Sequence, residues 1–150
     1  RPAVVSSAMP KVFTAGIDLK LNTGELVGGL NIDPARNALN SLPFIKGLQR
    51  AMGTAMPVPV IIAVHGPVLG LGINIICACD IRYAAETAEL LMLVCVKEVD
   101  VGLAADIGTL AYLPKITGNQ SLVQEFAYTG ATFSAADIVR AGFVSRVVPG

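Results

Sequence analysis

Charged residues make up only 15% of this 150-residue chain, yet Glu98, Asp100 and Asp106 cluster in one segment. Two carboxylates beside an apolar pocket can divide the removal and return of a proton, because such surroundings push their pKa values apart. A second stretch, Val64-His65-Gly66-Pro67-Val68-Leu69-Gly70-Leu71-Gly72, places a glycine-rich turn between an apolar strand and an apolar helix. That arrangement offers free backbone N–H groups and the positive end of a helix dipole. It suits a phosphate or a developing oxyanion. The glycines lack a following Lys-Ser/Thr and do not form Gly-x-Gly-x-x-Gly, so the spacing favours the oxyanion over the phosphate. Position alone allows blander readings: a tight strand-to-helix turn, and, for Asp106, an acid at a helix N-terminus.

The elements that must carry these residues alternate between short strands and helices, which predicts an α/β fold. Strands are expected at Pro2–Ser6, at Val60–Val64 as a fully buried run, at Cys79–Ala85 and at Phe143–Val148. Phe13 to Asp18 reads as a further short element. Asp33 and Pro34 form a helix start, and Ala35–Leu42 and Phe44–Met52 read as helix kinked or divided at Pro43. Helices are also expected from near Gly70 through Cys79, over Ala104–Leu113 with Pro114 as its stop, over Asn119–Tyr128, and from a Ser134 cap to Arg140 with Ala135, Ile138 and Val139 inward. Asp80 and Arg82 read as a turn and a local ion pair, and His65 as a turn residue.

Eleven basic residues balance eleven acidic ones, so there is no electrostatic footprint for nucleic acid. No apolar run approaches the roughly 18 residues of a membrane span. Cys77, Cys79 and Cys95 are odd in number and set in apolar sequence. Residues two apart on a helix do not share a face; these cysteines therefore read as buried free thiols, with neither a disulfide nor a metal.

Three segments together resemble the enoyl-CoA hydratase/isomerase (crotonase) family. They are Phe13-Thr14-Ala15-Gly16-Ile17-Asp18-Leu19, His65-Gly66 with the Gly70/Gly72 turn, and Val96 to Asp106. The last is similar to the dienoyl-CoA isomerase branch, which carries a second carboxylate eight residues after the family's glutamate. The resemblance implies a spiral of ββα units, here a single core domain over residues 1–150 that lacks N- and C-terminal parts. It implies an acyl-CoA substrate, a trimer or dimer of trimers, and a mitochondrial or peroxisomal setting in fatty-acid β-oxidation. Coenzyme A would enter as part of the substrate, with no separate cofactor.

Carried onto this chain, the resemblance makes the backbone N–H groups of Ile17 and Leu71 an oxyanion hole. Glu98 and Asp106 become the proton carriers, and Ala15, Gly16, Asp18, Gly70, Gly72 and Asn74 line the substrate site. Two positions depart from the pattern. Leu71 stands where relatives have the middle of three glycines. Asn74 stands where this branch has an aspartate and hydratases a glutamate. An amide cannot take up a proton, which argues against hydration more than against isomerisation. The expected activity is thus isomerisation of a conjugated dienoyl-CoA thioester. The alternatives are a non-catalytic acyl-CoA-binding member of the same fold, or an enoyl-CoA hydratase.

Overall fold

The computed structural model describes residues 1–16, 33–53, 56–87, 89–91, 109–129 and 131–149. Four parallel strands form the main sheet: β1 (Ala3–Val5), β2 (Val60–Val64), β4 (Ile81–Ala85) and β7 (Arg146–Val148), in the order β1-β2-β4-β7. Val4 is opposite Ile61, Ile61 opposite Ile81, and Ala84 opposite Val147. A second sheet contains β3 (Pro67–Leu69), β5 (Glu89–Leu91) and β6 (Thr132–Phe133), with β3 and β5 parallel and β6 antiparallel. Helix α1 covers Pro34–Gly53, α2 Leu71–Ala78, α3 Thr109–Ile116, α4 Gln120–Thr129 and α5 Ala135–Arg140. The units β2-β3-α2 and then β4-β5 send their first strands to one sheet and their second to the other. This is the ββα arrangement expected from the sequence. No helix among the described residues is long and apolar enough to cross a membrane.

The core lies where α2 packs against β3 and α3. Ile62 of β2, Val68 of β3 and Ile73 and Ile76 of α2 are sealed from solvent, joined by Phe13, Leu113, Phe133, Ile138 and Phe143. β2 departs from the fully buried strand that its composition predicted. Val60, Ile62 and Val64 are buried, whereas Ile61 and Ala63 on the opposite face are only partly so. The chain of β-branched residues satisfies a strand on either face, so composition did not reveal how completely each face is covered.

Several other expectations change. β3 interrupts what reads as one continuous turn, because Pro67 to Leu69 find strand partners on both edges. Helix α1 is not divided at Pro43, which leaves the kinked form of the expectation, and α3 runs past Pro114 to Ile116. Both prolines are exposed, as are Leu39 and Leu110 four residues earlier. The carbonyls that lose their helical donors thus lie on the wet side, where water can replace the bond. Asp80 and Arg82 serve structure, but not as an ion pair. Asp80 Oδ2 accepts the Val60 N–H at 2.8 Å, while Arg82 Nε and Nη1 donate to the carbonyls of Phe143 and Cys79 at 2.7 and 2.6 Å. Arg140 with Asp137 is the ion pair found among the described residues. The last strand starts at Arg146; Phe143 and Val144 are buried in the approach to it, where side-chain apolarity mimicked a strand. Val139, expected inward, is 45% exposed, since the short helix α5 presents only Ile138 fully to the core.

The helix starts follow from local chemistry. Asp33 Oδ1 accepts the Ala35 N–H at 3.2 Å, and Asn119 Oδ1 the Leu122 N–H at 3.1 Å. Ser134 and Asp137 form a reciprocal capping box at α5, satisfying donors that the first turn leaves open. Hydrogen bonds from the Ser134 hydroxyl and N–H hold the Asp137 carboxyl below its ordinary value of 3.8.

Ile62→Ala should destabilise the fold by about 2–5 kcal/mol, whereas Val4→Ala, at a position 66% exposed, should stay within about 0.5 kcal/mol; urea denaturation of both variants checks this. Ser134→Ala should cost ~1 kcal/mol at neutral pH. A carboxylate with a lowered folded pKa stabilises above its unfolded value and loses that contribution as pH falls through the folded one. The gap between wild type and Ser134→Ala should therefore narrow as the pH drops below 3.8, and a gap constant with pH would contradict the capping box.

Candidate active site

Two backbone segments converge at the N-terminus of α2. The first, Phe13 to Gly16, lies along β3: the Phe13 N–H donates to the Pro67 carbonyl at 3.0 Å and the Leu69 N–H to the Thr14 carbonyl at 3.0 Å. The second is β3 itself, which passes through Gly70 directly into α2. Strand pairing therefore delivers the Gly16 loop to the helix start. His65 secures the outer end of this loop, its Nε2 2.8 Å from the Met9 carbonyl oxygen and its ring edge-on to Phe13 at 6.1 Å. That is the structural turn role its sequence context predicts.

At Gly16 and Gly72 there is no room for a side chain. Gly16 has φ +83°, and a Cβ there would stand 2.9 Å from the Leu69 carbonyl oxygen and 3.5 Å from the Leu71 nitrogen. Glycine alone meets both the left-handed backbone and the close approach without strain. On the helix side, a Cβ on Gly72 would collide with the Thr14 methyl and come within 2.7 Å of Val68 Cγ1. Both neighbours are β-branched and stiff about χ1, so neither can swing aside. Gly16 thus lets the loop approach the backbone of β3 and the helix start, and Gly72 makes room for the Thr14 and Val68 side chains.

The N-cap of α2 is Gly70, and no side chain caps the helix. Ile73 N–H turns back to the Gly70 carbonyl at 3.0 Å, leaving Leu71 and Gly72 as the leading N–H groups at the positive end of the dipole. Leu71 is partly buried and has an ordinary negative φ, as has every non-glycine residue described. The middle position of the Gly70-Leu71-Gly72 turn thus does not depend on glycine's conformational freedom, and the N–H is presented with leucine in place.

Asn74 lies one helical turn beyond Leu71 and is the buried polar side chain among the described residues, 4% exposed. The residue has an interaction partner. Cys77 and Cys79 are buried and free, as expected. Burial pushes the Cys77 thiol up to about 12 and raises that of Cys79, whose Sγ donates to the Ile75 carbonyl at 3.2 Å. Thiols so shifted are protonated near neutrality and make poor nucleophiles.

Among the residues singled out from sequence, Gly16, Gly70, Leu71 and Gly72 are brought together. Ala15 precedes them on an exposed stretch, and Asn74 follows in the buried part of α2. Ile17, Asp18, Glu98 and Asp106 lie outside the described residues, as do Asp100 and Cys95. Thr14 was not recognised from sequence as part of this site. Its hydroxyl oxygen accepts the Gly16 N–H at 3.2 Å; a hydroxyl two residues before a loop glycine is the signal that could have marked it.

Gly72→Ala should destabilise the protein by about 1–3 kcal/mol through overpacking. Gly47→Ala, in α1 with nothing within 4 Å of the new Cβ, should stabilise by about 0.5–1 kcal/mol. Denaturation midpoints of the two variants moving in opposite directions would bear this out; equal shifts would not.

The sequence profile of the enoyl-CoA hydratase/isomerase family matches residues 1–150. The chain is 46% identical over 149 residues to the human protein named mitochondrial Delta(3,5)-Delta(2,4)-dienoyl-CoA isomerase, covering 98% of this chain and 44% of that one. A peroxisomal protein of the same name from Arabidopsis thaliana is 37% identical over 148 residues, with 96% and 51% covered. The crystal structure of a probable enoyl-CoA hydratase/isomerase from Mycobacterium abscessus superposes with a TM-score of 0.74 at 33% identity, over 99% of this chain and 52% of that one. The chain thus spans about half the length of the relatives it matches.

Proposed function

Since this chain belongs to the enoyl-CoA hydratase/isomerase family, we propose that the whole protein is an acyl-CoA isomerase that shifts the conjugated double bonds of a dienoyl-CoA thioester. The observation that carries this reading is the seating of Gly16 against Leu69 and Leu71, with a Cβ position 3.5 Å from the Leu71 nitrogen. It runs the backbone leading to Ile17 beside the free N–H of Leu71. In the proposed site these two N–H groups donate to the thioester oxygen as it gains enolate charge. The dipole of α2 adds to them. One such donor is worth about 2.7–4 kcal/mol in the transition state.

With the charge held at oxygen, a proton leaves the carbon next to the thioester carbonyl, and the electron pair spreads along the diene. A proton added at the far end of the conjugated system moves both double bonds toward the carbonyl. We assign these transfers to Glu98 and Asp106 as a pair, without dividing removal from return between them. The chemistry is heterolytic and balanced, one proton out and one in, so it requires neither a redox group nor a metal. Coenzyme A enters with the substrate. Ala15, Asp18, Gly70, Gly72 and Asn74 belong to the proposed substrate surround. Relatives named as mitochondrial and as peroxisomal support one of those compartments for the whole protein, and a trimeric assembly belongs to the same reading.

Asn74 favours a second reading. The position carries an acid in the relatives' motif, and here a buried amide replaces it. Hydration, which uses two acids to add water, would lose one of them; a non-catalytic acyl-CoA binder would lose nothing.

The deciding experiment follows the ultraviolet absorbance of a 3,5-dienoyl-CoA mixed with the full-length protein. Turnover is expected, with Asp106→Asn and Glu98→Gln each slowing it by about 100-fold or more. Leu71→Gly should change kcat only a few-fold, because the Leu71 backbone is unstrained. Acyl-CoA bound without turnover in every variant would move the protein to the non-catalytic reading.

A further inference from the structure

The Thr14 side chain touches both halves of the proposed oxyanion site that the structure describes. Its hydroxyl oxygen accepts the Gly16 N–H at 3.2 Å, closing the turn from which the chain continues to Ile17. Its methyl fills the space over Gly72 that a Cβ would need, shared with Val68 Cγ1. Its backbone carbonyl accepts the Leu69 N–H at 3.0 Å, and the residue bridges to Val68 in parallel register. Leu71 lies between the two contacts, next to Gly72 and with its nitrogen 3.5 Å from a Cβ position on Gly16.

We infer that Thr14 is a positioning residue for the oxyanion hole, setting how the Gly16 turn sits against the Leu71 N–H without itself touching the substrate. The inference rests on the isomerase reading above. Its physical content is that the Gly16 turn and the Leu71 N–H belong to separate segments, which the Thr14 bridge and hydrogen bonds to β3 align along the strand only. Rotation of the Gly16 loop about that line remains. The Thr14 hydroxyl restrains the loop side, and the methyl wedged against Gly72 restrains the helix side. Serine keeps the first contact and loses the second. Valine keeps the β-branched shape but presents no acceptor to the Gly16 N–H. A donor pair is sensitive to such changes because oxyanion stabilisation depends on both N–H groups pointing at one atom.

The test uses full-length protein and three readouts: kcat, KM and the carbonyl stretching frequency of the bound thioester by isotope-edited infrared difference spectroscopy. That frequency falls when the hole polarises the carbonyl. Thr14→Val is expected to reduce kcat by roughly 10- to 100-fold, the scale of a small misplacement of catalytic groups, with KM changed little and part of the carbonyl shift lost. Thr14→Ser should recover most of the kcat and of the shift. Denaturation midpoints of the variants should not track kcat; a loss of activity that follows stability alone would make Thr14 merely structural and overturn the inference. Wild-type kcat and carbonyl shift in Thr14→Val would overturn it while leaving the isomerase reading intact. A wild-type protein that binds the thioester without shifting its carbonyl would remove the oxyanion site and this inference with it.

Discussion

The site depends on a backbone-to-backbone contact. At Gly16 and Gly72 a Cβ would stand in the way where the Phe13–Gly16 loop, β3 and the first turn of α2 meet. A three-residue strand such as β3 cannot hold itself in place. It is secured because Thr14 bridges one side of it and β5 pairs with it on the other. The chain then turns through Gly70 into a helix whose leading N–H groups have no capping side chain. Three helix starts among the described residues are occupied by Asp, Asn or Ser oxygens. The start of α2 is built differently, with its donors left open beside a second backbone segment.

The surrounding fold keeps that contact rigid. Ile62, Val68, Ile73 and Ile76 are sealed from solvent and belong to β2, β3 and α2 in turn, so the strand before the site and the helix after it share one packed core. At the far end of α2, Asp80 ties back to Val60 and Arg82 reaches the carbonyls of Cys79 and Phe143. These are charged groups spent on backbone polar groups rather than on each other. A carboxylate or guanidinium bound in this way satisfies donors and acceptors that strand ends leave open.

In the proposed site, Leu71 and Asn74 are the two residues that depart from the pattern implied by the resemblance, and they differ in physical consequence. At Leu71 the contribution to the site is the main-chain N–H, and the ordinary φ makes the identity of the side chain secondary for the backbone. At Asn74 the motif's contribution is a carboxylate, and an amide cannot substitute for one as a proton acceptor. The first change leaves an oxyanion donor in place. The second removes an acid, which weighs against hydration more than against isomerisation.

Much was legible in the residues themselves wherever a short-range rule applies. The Asp33-Pro34 helix start, the Ser134 cap, the β2 and β4 strands, the burial of Cys77 and Cys79 and the helix starting near Gly70 all follow from side chains acting on backbone within a few residues, or from an unbroken apolar run. The glycine-rich turn and the Phe13–Asp18 segment were likewise visible as motifs, although nothing in their spacing along the chain says that they touch. The extended pairing of Pro67 to Leu69, the continuity of helix across Pro43 and Pro114, the partners of Asp80 and Arg82, and the place of Thr14 were not legible. Each depends on what lies across a sheet or on which side of a helix meets water. Such contacts join residues far apart in sequence, so they are settled by packing, after the local preferences have been satisfied.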